Sequence, residues 1–464
     1  MSNLIMNNVP ASIFRAYDIR GIVGKTLTPE TVELIGKALG TEASVRGETT
    51  IIVARDGRTS GLLMVEALKK GILETGRDVI DIGMVPTPTL YYAAMQIEGT
   101  QSGIMVTGSH NPPDYNGFKC VLAGDTLHGE AITDLYRRIV ENDFKQGQGF
   151  EKSAEIKDDY INAILESVQL KRPLKVVVDT GNGVAGELAP RLMKELGCEV
   201  IPLFTEIDGT FPNHHPDPGK LENLKDLIAN VKLSQADLGL AFDGDGDRVG
   251  VITPSGALIY PDHLMMAFAE DLLSRNAGAK IIYDVKCSGN LGKVIRAAGG
   301  EAEMWKTGHS LIKARMKETG ALLAGEMSGH IFFKERWLGF DDGLYAAARL
   351  LEILAAQALD ADAFFSQYPQ DLNTPEINVD VTDENKFDLV KKLTQEGEFG
   401  DGQKTTLDGI RIDYDDGWGL CRASNTTPVL VLRFEGKTPE ALARISETFK
   451  NALTKIDPSL VLNF

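Results

Sequence analysis

The sequence predicts an α/β protein: three related α/β domains with mixed, mostly parallel sheets, followed by a C-terminal α+β domain. Three observations carry this. A strand–loop–helix–Gly–strand unit occurs three times along the chain, the mark of βαβ pairing in a parallel sheet. Each copy is followed by one more strand that ends in a polar loop, so the copies agree in order as well as in kind. The C-terminal stretch then changes to strands with partial polar–apolar alternation, the pattern of an antiparallel sheet covered on one face.

In the first copy a strand at 51–54 ends in Arg55-Asp56-Gly57-Arg58, a helix spans 62–75, Gly76 closes it, and 79–82 is the next strand. In the second, 176–178 ends in Asp179-Thr180-Gly181-Asn182-Gly183, a helix runs to 196, and the next strand is 200–203. In the third, 281–283 ends in Asp284-Val285-Lys286, a helix spans 291–298, and a strand lies at 302–305. The additional strands are 104–106, 238–242 and 321–324. C-terminal strands are expected at 376–381, 409–414, 418–423 and 429–434, with a helix at 440–454. The domains are expected at 1–153, 154–255, 256–367 and 368–464, and no low-complexity linker separates them.

A chain of 464 residues needs several domains, because single cores stop growing near ~250–300 residues. Apolar content of 43% and charged content of 25% belong to the soluble globular class. A net charge of −18 argues against nucleic acid and anionic membranes as partners, and it obliges an anionic substrate to find a locally basic cleft or a metal. No apolar run reaches the ~18 residues of a membrane span, and residues 1–14 lack the charge-then-apolar order of a signal peptide. The four cysteines are scattered without a Cys-x-x-Cys pair, which fits buried thiols in the cytoplasm.

The chemistry concentrates where strands end. The apolar run at 104–106 meets Thr107-Gly108-Ser109-His110-Asn111-Pro112-Pro113, where Gly108 permits close backbone approach and Ser109 offers an oxygen nucleophile beside an imidazole. The strand at 238–242 runs into Asp243-Gly244-Asp245-Gly246-Asp247-Arg248. Three carboxylates this close repel unless a cation sits among them, and hard oxygen ligands favour Mg²⁺ or Ca²⁺ over zinc. An EF-hand is excluded, since the sixth position is Arg248 and the twelfth Pro254. Three ligands leave room for water and a phosphate oxygen, which points to Mg²⁺.

Other loops are individually weaker. Arg422-Ala423-Ser424-Asn425-Thr426-Thr427 offers a guanidinium and neutral donors, a suitable phosphate cradle. Gly308 and His309 lie in a post-strand loop that could meet a sugar, or could be a helix start capped by Thr307 or Ser310. Tyr17 and Arg20 occupy a loop, Lys286 a strand end, and 213–217 carries two adjacent His side chains that diverge and read as structural. There is no P-loop, and Ser109 is not in a Gly-x-Ser-x-Gly elbow, so nucleotide hydrolysis and elbow-type ester hydrolysis are unsupported.

Taken together, the Thr107–Pro112, Asp243–Arg248, Gly325-Glu326-Met327-Ser328-Gly329-His330 and Arg422–Thr426 segments resemble the α-D-phosphohexomutases, most closely their bacterial phosphomannomutase/phosphoglucomutase branch. The resemblance spans essentially the whole chain. It implies four domains in a heart shape around one central cleft, with Ser109 carried as phosphoserine. It implies Mg²⁺ held by Asp243, Asp245, Asp247 and the Ser109 phosphoryl oxygen. Glu326 and Ser328 would read sugar hydroxyls, helped by Tyr17, Lys286, Gly308, His309 and His330. Arg422, Ser424, Asn425 and Thr426 would hold the distal phosphate. The implied reaction interconverts hexose 1- and 6-phosphates of glucose and mannose through a hexose 1,6-bisphosphate that turns end for end. Arg248 would offset charge on the transferring group, and Arg20, His110 and Lys119 are candidates to manage the hydroxyl proton. The partners expected are small phosphosugars and the chain a monomer; a sibling mutase for glucosamine phosphate or a single hexose phosphate is the alternative.

Overall fold

A computed structural model describes residues 9–425 and 427–464, in which the strands form four sheets. The first three repeat one arrangement. In the first sheet, Asp78–Met84 and Gly103–Val106 flank Thr50–Arg55 in parallel, and Tyr115–Leu122 runs antiparallel beside Gly103–Val106. In the second, Glu199–Leu203 and Leu238–Phe242 flank Lys175–Asp179 in parallel, with Val249–Ile252 antiparallel beyond. In the third, Glu301–Trp305 and Leu323–Gly325 flank Lys280–Asp284, and Ile331–Phe333 is again antiparallel. The first and third strands of each unit thus end side by side at one edge, where open α/β sheets carry ligands.

These strands are continuous apolar runs because both faces are covered: every residue of Gly103–Val106 and Leu238–Phe242 is buried. The helices obey local chemistry. Pro29–Val45 has Pro at its first turn, and Thr28 Oγ1 accepts from Thr31 N at 3.3 Å. Asp342 caps Gly343–Ala355 in the same way. Two segments lacked a readable signal. Glu151–Ser153 is exposed and polar and joins the first sheet only by parallel pairing to Asp78–Met84. Ile19–Ile22 is short and pairs with Tyr115–Leu122 across almost a hundred residues of chain.

One apolar core runs through the first three units. At its centre Trp337 stacks on Tyr345 with centroids 4.4 Å apart and lies 6.0 Å from Tyr92, while Tyr160 Oη and Trp337 Nε1 both donate to Asp342. The fourth unit is different. Its sheet is antiparallel, built on Gly417–Ala423 and Val429–Gly436, and Pro439–Ile456 packs on it. It has its own core and meets the third unit through a small patch, Val285 with Trp418 and Leu420. Arginine-to-carbonyl bonds complete that junction: Arg411 donates to Val285 O and Cys287 O, and Arg433 to Lys286 O. All four cysteines are buried and unpaired. Among the described residues no helix is long and apolar enough to cross a membrane.

Candidate active site

Ser109 sits directly after Gly103–Val106 in the left-handed region, at φ 48°, and is almost fully buried. Its amide donates to Thr107 Oγ1 (2.8 Å), and Thr107 Oγ1 and the Gly108 amide donate to Asp56 at 2.8 and 3.1 Å. The Ser109 hydroxyl donates to Asp243 Oδ2 at 2.9 Å and lies 3.2 Å from His110 Nδ1. The approach of the two loops depends on a missing side chain: a Cβ on Gly244 would stand 2.3 Å from the Ser109 carbonyl oxygen.

Asp243, Asp245 and Asp247 bring their carboxylate oxygens within 4.8 Å of one another, fully buried. Two cations answer them. Lys119 Nζ pairs with Asp245 (2.7 Å) and with Asp247, and Arg248 Nε donates to Asp243 Oδ2 at 3.0 Å. Thr87 Oγ1 donates to Asp245 at 2.6 Å. Asp245 Oδ1 and Asp247 Oδ1 remain buried without a hydrogen-bond partner among the described residues. Burial pushes Asp243 and Asp247 up to about 7, against the pull of Arg248 on the first and Lys119 on the second. For Asp245 burial acts upward too, but Lys119 and the Thr87 bond outweigh it and hold the group well below the usual range. A triad that resists carrying three charges, with two buried oxygens left without a hydrogen bond among the described residues, fits a hard divalent cation.

The proton candidates separate. Burial opposes charge on Lys119, yet Asp245 and Asp247 pair with its ammonium and raise it above the ordinary lysine range. Arg20 is engaged with Asn111 Oδ1 and Asp18. Burial, then Arg248 and Arg20, push His110 well below the ordinary imidazole range, which disfavours its charged form.

The third-unit loops form the adjoining wall. Glu326 Oε1 accepts from the Gly308 amide at 2.5 Å, and burial pushes Glu326 up to about 7, opposed by His330. Gly308 has φ 136°, and a Cβ there would press on the Tyr17 ring at 3.2 Å. His309 meets Tyr17 edge-on at 5.8 Å and stacks on His330 at 5.7 Å. His330 Nδ1 is 3.1 Å from Asp341 and 3.6 Å from Asp247, and Arg248 Nη1 reaches the Ser328 carbonyl at 3.4 Å. The sugar-facing candidates and the aspartate loop are therefore contiguous. A helix does begin at His309, but neither Thr307 nor Ser310 caps it: the N-cap is Gly308, and Thr307 Oγ1 donates to Asp284.

In the fourth unit Arg422 Nε donates to Asp408 at 3.0 Å, and Asp408 also accepts from the Thr307 amide, tying this loop to the third unit. Arg422 Nη2 is buried and has no partner among the described residues. Ser424 Oγ lies 2.8 Å from Thr427 Oγ1, Asn425 follows it in the loop, and Thr426 falls outside the described residues. Lys286 Nζ is paired with Glu376 at 2.7 Å, at the junction between the third and fourth units. His214 pairs with Asp179 at 3.0 Å, a structural role.

Asp56, Thr87 and Asp408 escaped the sequence reading. The repeat carries a signal for the first: Asp56 directly follows Thr50–Arg55, Asp284 ends Lys280–Asp284, and both accept from the loop after the third strand of their unit, at Gly108 and Met327.

Comparison with known proteins agrees with this layout. Residues 11–146, 158–256 and 260–371 match the phosphoglucomutase/phosphomannomutase alpha/beta/alpha domains I, II and III, and 376–452 matches the C-terminal domain of that family. A phosphomannomutase/phosphoglucomutase from Pseudomonas aeruginosa is 59% identical over 464 residues, 100% of both chains. A phosphoglucomutase from Neisseria meningitidis serogroup A is 53% identical, covering 98% of this chain and 99% of that one. The crystal structure of a phosphoglucomutase/phosphomannomutase family protein from Burkholderia thailandensis superposes with TM-score 0.94 at 53% identity, over 98% of this chain and 100% of that one.

Proposed function

The chain belongs to the phosphoglucomutase/phosphomannomutase family, and on that premise we infer that it is a mutase interconverting the 1-phosphates and 6-phosphates of mannose and glucose. The observation that carries the chemical reading is the contact of Ser109 Oγ with the Asp243 carboxylate at 2.9 Å, beside two carboxylate oxygens without a hydrogen-bond partner among the described residues.

Ser109 carries the phosphoryl group as an ester. With three carboxylates against Lys119 and Arg248, the loop holds one net negative charge when all are ionised. A phosphoserine adds about −1.5 to −2 more. Asp243, Asp245 and Asp247 would hold Mg²⁺, which when bound offsets charge on the transferring phosphoryl group. Arg248 Nη2 and Arg20 Nε, buried and unpartnered among the described residues, are donors available to phosphoryl oxygens. The sugar hydroxyl attacks phosphorus, the bond to Ser109 Oγ breaks, and the hydroxyl proton is passed within the site so that the departing Ser109 oxygen ends as a hydroxyl, with His110 Nδ1 3.2 Å from it. In the return transfer Ser109 Oγ attacks the other phosphate, the bond to the sugar oxygen breaks, and the serine proton passes to that oxygen, with His110 Nδ1 the nitrogen within reach of Ser109. The hexose 1,6-bisphosphate turns between the two transfers, so a single distal cradle at Arg422, Ser424 and Asn425 serves both orientations. Glu326 and Ser328, with Tyr17, Gly308, His309 and His330 around them, bind the sugar hydroxyls. Lys286 joins them once released from Glu376. The enzyme works on small phosphosugars as a cytoplasmic monomer without nucleic acid.

Intact mass spectrometry of the purified protein tests this reading. A species heavier by one phosphoryl group, localised to Ser109 and lost on incubation with excess hexose monophosphate, is expected. A phosphoryl group elsewhere, or turnover without any phosphoenzyme, contradicts it.

A further inference from the structure

We propose that Arg58 is the positioning residue that holds the phosphoryl-carrying loop in register with the aspartate loop. The proposal rests on the reading of Ser109 as the phosphoryl carrier and extends it to a side chain that touches neither substrate nor phosphate.

The Arg58 side chain is 1% exposed and reaches the loop from the far side. Its Nη1 donates to Pro112 O (2.6 Å) and Tyr115 O (2.9 Å), and its Nη2 to Ser109 O (2.9 Å) and Asn111 O (2.6 Å). Four carbonyls from one short segment thus converge on one guanidinium. Only arginine offers donors in a rigid planar fork; a lysine ammonium has three donors on a flexible stem and cannot reproduce this geometry. Fit on the other side is equally close: a Cβ on Gly108 would stand 2.4 Å from the Arg58 Cζ. Asp56, 3.4 Å from Arg58 Nε, takes the amide side of the same turn through Gly108 N and Thr107 Oγ1. Carbonyls bind the arginine and the turn's donors bind the aspartate. The left-handed conformation of Ser109 is over-determined by its surroundings, as strained functional backbones require.

Arg58 also feels the second unit. The Phe211 ring lies 5.3 Å from its Cζ, and a Cβ on Gly209 would meet the Arg58 Cα at 2.6 Å. The segment that closes over Arg58 therefore belongs to the unit that supplies Asp243, Asp245 and Asp247. The guanidinium is fixed on one side by the Ser109 loop and on the other by the aspartate-bearing unit, so it sets the distance across which Ser109 Oγ meets Asp243. A phosphoryl donor displaced by about 1 Å loses on the order of a hundredfold in rate, because the in-line geometry is lost while substrate binding is not.

The experiment compares wild type, R58K and F211A by steady-state kinetics, by ³¹P NMR of the phosphoenzyme and by thermal unfolding, with rates expressed per folded molecule. R58K is expected to lower kcat about tenfold to a hundredfold while KM for the sugar phosphate changes less than about threefold. Its phosphoserine resonance should shift or broaden relative to the single wild-type line. F211A keeps every Arg58 hydrogen bond but frees its second-unit face, and should show the same split with a smaller loss. Native kcat in folded R58K, or a loss confined to KM, overturns the proposal. If R58K does not fold, F211A decides alone: lowered kcat at native KM supports the register, and native kcat overturns it. A wild-type enzyme without a phosphoserine signal would overturn the reading of Ser109 and this proposal with it.

Discussion

Ser109 and Asp243 are 134 residues apart in the chain, yet the serine hydroxyl donates to the carboxylate at 2.9 Å. The bond joins the loop after the third strand of the first unit to the loop after the third strand of the second. Equivalent positions in a repeated fold have been brought face to face. Replacing Ser109 by Ala removes the phosphoryl carrier but leaves the turn's anchors, Asp56 and Arg58, untouched. Ser109→Ala should lower kcat by at least about a thousandfold, as loss of a covalent nucleophile does, with the thermal midpoint moved by no more than a few degrees. Near-native turnover in the presence of catalytic sugar bisphosphate would require another carrier and defeat the assignment.

The oxygens of Asp245 and Asp247 left without a hydrogen bond among the described residues make the metal a thermodynamic prediction as well as a kinetic one. A ligand bound only to the native state stabilises it by about 2.7 kcal/mol at one hundred times its Kd. Added Mg²⁺ should therefore raise the unfolding temperature of the wild type, and chelation should abolish activity reversibly. Asp245→Asn removes one of three ligand charges, and both the Mg²⁺-dependent stabilisation and the activity at limiting Mg²⁺ should fall. Full activity in excess chelator would rule the site out.

Much of this site was legible because its chemistry sits in short loops after apolar strands. Ser109, the three aspartates and the Glu326 loop are each announced by their neighbours in sequence. What was not legible depends on distance across the fold. Arg58 acts on carbonyls more than fifty residues away, and Thr87 reaches Asp245 over 158. Neither has a local pattern that separates it from an ordinary strand end or helix start. The state of Lys119 is equally non-local. Only the fold shows that Asp245 and Asp247 both pair with its ammonium. The edge strand Glu151–Ser153 has no apolar face to announce it, so its pairing alone reveals it.

Glu326 supplies a pH test. Burial pushes its carboxyl up to about 7, Asp284 adds to this, and His330 and the Gly308 amide act against it. Below that pH the group is a neutral acid, and above it a carboxylate able to accept two sugar hydroxyls. The kcat/KM of the free enzyme should therefore rise as pH rises through about 7. Asp243 and Asp247 are pushed to the same range, so the profiles are compared at saturating Mg²⁺, which keeps metal-binding carboxylates ionised; there Glu326→Gln should lose this limb and keep the second ionisation of the substrate phosphate near about 6. A mutant profile that keeps the same limb would assign it to another group.

The shared core of the first three units predicts a localised effect on stability. Trp337 is stacked between Tyr345 and Tyr92 and donates to Asp342. Trp337→Ala should cost about 3–5 kcal/mol through the cavity left behind. The fourth unit has its own core, so calorimetry should show the main transition lowered and the C-terminal domain's transition unmoved. Equal shifts in both would mean that the cores are energetically one.

Arg422 decides whether one cradle serves both substrate isomers. Its Nε is occupied by Asp408, which also accepts from the Thr307 amide of the third unit, so the guanidinium is held facing the sugar loops. Its Nη2 is buried and unpartnered among the described residues, a donor kept available where a phosphate is expected. The fourth unit meets the third through a small apolar patch, arginine-to-carbonyl bonds and the Asp408 and Glu376 contacts. Closure of such a unit on a bound phosphate would shield the phosphoserine ester from water while the bisphosphate turns. Because each isomer presents its distal phosphate to the same place, Arg422→Ala should raise KM for the 1-phosphate and the 6-phosphate alike. Loss of a charge-assisted contact amounts to roughly 1.5–3 kcal/mol, about tenfold to a hundredfold. Steady-state kinetics in both directions makes the comparison. A rise confined to one isomer would divide the cradle into two sites, and no rise in either would move the distal phosphate away from Arg422.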